Sequence, residues 1–130
     1  MSIQEQIKIS EQTTEQNILN LHLLQLCEAA RNLTGLNILL LFGQEPMTCD
    51  TAHGFARQLQ KPVDEVRDAL NSLTASGVLK QSSRLDDPYH ISYWLSEDGT
   101  MFSTLSDLLN LWGEGPEPRR WLYRAINVPQ

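Results

Sequence analysis

Cys49, Asp50 and His53 fall within five residues, and all three are types that ligate transition metals. Cys49 and His53 are four apart, so on a helix they would share one face. A stable site needs three or four convergent ligands. His22, Cys27 and His90 are distant in sequence, and no spacing joins them to the pair. No metal or other cofactor is therefore expected. Catalytic spacings are missing too: there is no H-E-x-x-H, no G-x-S-x-G and no glycine-rich phosphate loop. Adjacent Asp86 and Asp87 stand before Pro88 and read as a turn, not an acid–base pair. The chain is not expected to be an enzyme, since no nucleophile, base and orienting group come together.

Composition narrows the classes further. The chain has 130 residues, 41% hydrophobic and 20% charged, which fits one soluble domain with a real core. The net charge is −6, so nucleic-acid binding would need a local basic patch. Two cysteines make no disulfide framework and suit a reduced compartment, so a cytoplasmic location is expected. The opening "MSIQEQIKISEQ" lacks the pattern of a signal peptide. The longest apolar run, "ILLLF" from Ile38 to Phe42, falls far short of the ~20 residues of a membrane helix. No membrane partner is expected.

The elements that must position any site follow from periodicity. Residues 1–16 are rich in Gln, Glu, Ser and Thr and read as a flexible N-terminal arm. From Asn17 to Asn32 the run Ile18, Leu19, Leu21, Leu23, Leu24, Leu26 is apolar around most of a helix, which demands cover on several sides. Thr34 is placed to cap a helix over Gly35–Phe42. Met47 and Thr48 suit a very short strand, and Thr48 or Asp50 can cap the next helix. There Ala52, Phe55, Ala56 and Leu59 share one face. After a tight turn at Gln60 and Lys61, Pro62 opens a helix to about Ser76. Its buried side holds Val63, Val66, Ala69, Leu70 and Leu73, and Gly77 supplies the left-handed stop. "VLKQSSRL" and "HISYWLS" read as two strands, with Ile91, Tyr93 and Leu95 alternating against His90, Ser92 and Trp94. Ser96 or Asp98 caps a last helix through Trp112, striped by Met101, Leu105, Leu108 and Leu109. The fold class is thus mainly α with a small β wing. Residues 17–112 form the domain, and 113–130 form a C-terminal tail.

A helix, tight turn, helix and two-stranded ribbon in this order resemble the winged helix-turn-helix fold, with flanking N- and C-terminal helices. The resemblance rests on "LNILLLFGQEPMTCDTAHGFARQL", "VDEVRDALNSLTASGVLK" and "YWLSEDG", and spans about Leu33 to Trp112. Tyr93, Leu95, Ser96 and Gly99 resemble the exit from the wing in MarR-, PadR- and HxlR-type transcriptional regulators. That likeness implies a helix-turn-helix that binds double-stranded DNA, with flanking helices building a homodimer. It places Arg67, Asn71 and Ser72 toward bases, together with Asp64 and Asp68. Lys80, Arg84 and His90 fall on the wing, and Arg57 and Lys61 toward phosphates.

One feature departs from this pattern. The outward side of the reading helix carries Asp64 and Asp68, with Glu65 beside them. Residues 46–97 hold five Lys and Arg against seven Asp and Glu, a net −2. Few cations are left to neutralise phosphates. The alternative is a winged-helix adaptor whose acidic helix binds a basic protein surface and no DNA. In the tail, Trp121, Leu122, Tyr123, Ile126 and Val128 accompany three arginines, and so much apolar surface calls for folding back or docking on a protein partner.

Overall fold

The computed structural model describes residues 21–82 and 90–126. Helix α1 covers residues 21–30. It is followed by α2 (Leu33–Gln44), β1 (Cys49–Thr51), α3 (Ala52–Leu59), α4 (Val63–Ala75), β2 (Leu79–Gln81), β3 (Ser92–Leu95), α5 (Gly99–Gly113) and α6 (Pro116–Ala125). The flexible arm expected over 1–16 and the tip of the wing, including Arg84, lie outside the described residues.

The centre of the domain is α2. Leu36, Ile38, Leu39, Leu40 and Phe42 are all buried, and α4 and α5 pack on it. A helix apolar on so much of its surface is stable only when covered in this way. Phe42 meets Phe55 of α3 with ring centroids 5.6 Å apart, which ties the centre to the helix-turn-helix. From α4 come Val66, Ala69, Leu70 and Leu73, the side that its sequence period marks as apolar. Burying a side chain of the Leu70 type is worth roughly 1.5–3 kcal/mol.

The start of α2 differs from expectation. Asn32 is the cap, with its side-chain oxygen accepting from the Gly35 N–H at 2.9 Å. Thr34 lies inside the first turn, buried, and its hydroxyl is committed elsewhere. The chain turns at Arg31, whose φ of 68° is left-handed, and this brings α2 hard against the end of α1. A Cβ on Gly35 would stand 2.1 Å from the Ala30 carbonyl oxygen, so only glycine fits there.

The sheet order is β1-β3-β2, all antiparallel. Its first strand is Cys49–Thr51, not Met47 and Thr48, because Met47 projects almost wholly into solvent. Thr51, rather than Thr48 or Asp50, caps α3 by accepting from the Gly54 N–H at 3.2 Å. Trp94 of β3 is opposite Cys49 on one side and Lys80 on the other. Tyr93 and Leu95 point into the core, as the alternation predicts. Gly77, with φ of 84°, ends α4 and starts the wing, and Asp98 caps α5.

The sequence after Gly115 forms α6, which packs on α5. Leu122 and Ile126 are buried in the common core. The Arg119 Nε–H donates to the Trp112 carbonyl at 2.8 Å, and its guanidinium lies 4.4 Å from the Trp112 ring centroid. Tyr123 meets the same ring edge-on at 5.9 Å. Among the described residues, no helix is long and apolar enough to cross a membrane.

Candidate nucleic-acid interface

The second helix of the helix-turn-helix, α4, has two polar flanks around its apolar spine. One flank turns toward α1 and α2. There Glu65 accepts a short hydrogen bond from the buried hydroxyl of Thr34, in the first turn of α2. Ser72 donates to the Ala29 carbonyl at the end of α1, at 3.1 Å. The sequence pattern puts Ser72 toward bases. The structure turns it inward, because α1 crosses that side of α4 and leaves a carbonyl for the hydroxyl to meet.

The other flank faces the wing. Arg67, Asn71 and Thr74 line a cleft of about 460 Å³ together with Gln81, Ile91 and Tyr93. Tyr93 is 2% exposed, and its hydroxyl donates to Asn71 Oδ1 at 2.8 Å. Burial pushes the Tyr93 phenol above its ordinary pKa, and the nearby Arg67 charge only partly opposes this. The phenol therefore keeps its proton at neutral pH and acts as a donor.

The three carboxylates that set this helix apart are not equivalent. Glu65 is held against α2, where it also favours the positive end of that helix. Asp64 pairs with Arg67 at 3.0 Å, in an exposed contact that spans one turn. Such surface pairs are weak and exchange readily for a stronger anion. Asp68 is exposed, and among the described residues nothing pairs with it. Among the described residues, the outward face thus carries one carboxylate without a partner, Asp68.

The remaining sequence candidates are distributed around α4. Arg57 is exposed in the last turn of α3, and Lys61 is half-buried in the turn that follows. Lys80 is exposed on β2, and His90 is exposed just before β3. Arg67 and Asn71 are the two that the fold brings into one cleft. Tyr93 was not among the residues that sequence spacing selects, since its alternation marks it as core. The available signal was chemical: a buried tyrosine needs a partner for its hydroxyl.

The apparent metal pair dissolves. Cys49 lies on β1 and His53 in the first turn of α3, so they share no helical face. Among the described residues, no group of three or more His, Cys, Asp or Glu is placed to hold a metal. Burial raises the Cys27 thiol to about 11, which leaves it an inert part of the core.

A second cavity, of about 610 Å³, opens on the far side between α1, the end of α4 and the start of α5. His22, Glu28, Asp98 and Met101 are among its lining residues. Around these helices Leu21 is 53% exposed and Phe102 39%, with Leu24 also uncovered.

No family model matches the chain, and no curated protein matches it. Solved structures do. A variant of ZitR from Lactococcus lactis superposes with a TM-score of 0.50 at 18% identity, over 71% of this chain. The chain spans 60% of the length of that ZitR chain. A possible transcriptional regulator from Methanosarcina mazei gives 0.50 at 20% identity, over 73% of this chain and 82% of its own. A MarR family transcription regulator gives 0.45 at 17% identity, over 93% and 84%. The likeness is one of fold. The chain is a winged helix-turn-helix with flanking helices.

Proposed function

We propose that this chain is a cytoplasmic DNA-binding transcriptional regulator that acts as a homodimer. The observation that carries the reading is the division of α4. Glu65 is engaged by Thr34 and Asp64 by Arg67, while Arg67 and Asn71 stand in an open cleft beside the wing. In a major groove, a guanidinium and a carboxamide at this place meet base edges. Arg57, Lys61, Lys80 and His90 then border the helix as phosphate contacts, and the winged-helix resemblance adds Arg84 to them. Ser72 has no part in this surface, since α1 takes its hydroxyl. The homodimer reading is supported by Leu21, Leu24 and Phe102, apolar side chains exposed on the flanking helices that a second copy would cover.

The adaptor reading rests on an acidic helix. It loses support at Glu65, which the Thr34 hydroxyl engages within the chain.

The test is capture of genomic duplex fragments by the full chain at about 50 and about 200 mM salt. Binding should weaken by roughly tenfold or more across that range, because each counterion released by a phosphate contact gains less entropy in the saltier solution. Failure to bind any fragment at the lower salt would sink the reading. Light scattering at high micromolar concentration tests the dimer, and a monomeric mass would refute it.

A further inference from the structure

We propose that Asn71 reads guanine in preference to adenine, as a donor-only amide whose orientation is set by the hydroxyl of Tyr93. The inference rests on the DNA-binding reading above and adds the chemistry of one base contact. An asparagine at a major groove ordinarily presents its carbonyl and amino groups side by side, which matches adenine N6 and N7. Here the carbonyl is turned to the wing, where Tyr93 donates to Oδ1 at 2.8 Å. The group this bond leaves unengaged is the NH₂, which carries donors alone, while Oδ1 is committed to Tyr93 through one of its lone pairs. Guanine offers two adjacent acceptors, N7 and O6. Adenine offers N7 beside an N6 amino group, and that amino group meets the Asn71 NH₂ donor to donor.

The orientation is held firmly for three reasons. Tyr93 is buried on the central strand of the sheet, between Asp50 and Gln81 in register, so its ring has little freedom. Its phenol stays protonated at neutral pH, because burial disfavours the anion. Were the amide reversed, its NH₂ would donate to the phenol oxygen and the hydroxyl proton would lose the Oδ1 acceptor, which disfavours that orientation in a buried setting. Tyr93 is thus a positioning residue that acts through Asn71. Asn71 itself is exposed, at the edge of the cleft between α4 and the wing.

The experiment is selection from a randomised duplex library by the full chain, followed by sequencing of the bound fraction. Asn71→Ala should flatten one base position and so identify it. At that position the wild type should favour guanine over adenine about tenfold, the scale of one well-formed base contact. Tyr93→Phe keeps the ring and its packing but frees the amide to turn. It should bring the two purines to within about twofold, with a melting temperature close to wild type. If Tyr93→Phe does not fold, Asn71→Asp replaces it, since the carboxylate still accepts from Tyr93 but now offers acceptors to the base. Its preference should then move from guanine to cytosine. An unchanged purine ratio in Tyr93→Phe, no shift in Asn71→Asp, or no position altered by Asn71→Ala would overturn the proposal while leaving DNA binding intact. A wild type that captures no duplex at about 50 mM salt would overturn the DNA-binding reading itself, and this proposal with it.

Discussion

The two flanks of α4 look alike in sequence and differ in what they do. Glu65 and Ser72 form one flank, Arg67 and Asn71 the other, each a polar pair beside the same apolar spine. The first pair is drawn inward by groups on α1 and α2: the Thr34 hydroxyl and the Ala29 carbonyl. The second pair borders an open cleft, with Arg67 beside Asp64 and Asn71 accepting from Tyr93. A polar residue on an amphipathic helix is therefore not a binding residue by default. Its role is decided by what the neighbouring element places opposite it.

The spine is common to both flanks, so removing it should abolish the difference. Leu70 is fully buried among α2, α3 and α4 side chains. Leu70→Ala removes its packing and leaves a cavity, which costs about 2–5 kcal/mol in well-packed cores. We expect the denaturation midpoint to fall sharply, and DNA binding to fall with the folded fraction. A loss of under about 1 kcal/mol would show that α4 is not held by this spine.

The next effect separates the flanks. Arg67→Ala should weaken binding to DNA by roughly tenfold or more, the scale of one good base contact. Stability should change by about 1 kcal/mol or less, because the half-buried side chain pairs with a fully solvated Asp64. Fluorescence anisotropy and a urea melt read the two quantities. Loss of stability without loss of affinity would place Arg67 with the structural flank.

How much of this was legible in the sequence depends on the range of each interaction. The apolar side of α4, the stop at Gly77, the Asp98 cap and the inward Tyr93 and Leu95 were all readable, because each is set by neighbours within one or two turns. The Asn32 cap was missed in favour of Thr34, since the Thr34 hydroxyl is claimed by Glu65, 31 residues away. The tight fit at Gly35 depends on where α1 ends, which no local pattern encodes. The helical α6 was hidden by two prolines, which a first turn tolerates. At the site, Arg67 and Asn71 were readable as outward residues of α4. The part of Tyr93 was not, because 22 residues separate it from Asn71. The bond of Ser72 to α1 was hidden for the same reason, its acceptor lying 43 residues away.

That distant bond makes Ser72 the sharpest small test of the comparison. On the helix wheel it lies next to the outward face, so a base-reading role and a bracing role both fit its sequence position. Ser72→Ala removes only the hydroxyl and leaves the Ala29 carbonyl to find water or remain unpaired. A hydrogen bond of this kind contributes about 0.5–1.5 kcal/mol. Alanine has the higher helix propensity, which offsets a few tenths of that. The net expectation is a loss of roughly 0.5–1 kcal/mol in a urea melt, with affinity for DNA unchanged once the protein is folded. Ser72→Gly would confuse the result, because it adds the backbone cost of glycine. If Ser72→Ala instead lowers DNA affinity and leaves the melt unmoved, the hydroxyl faces the duplex and the division between the two flanks fails at this residue.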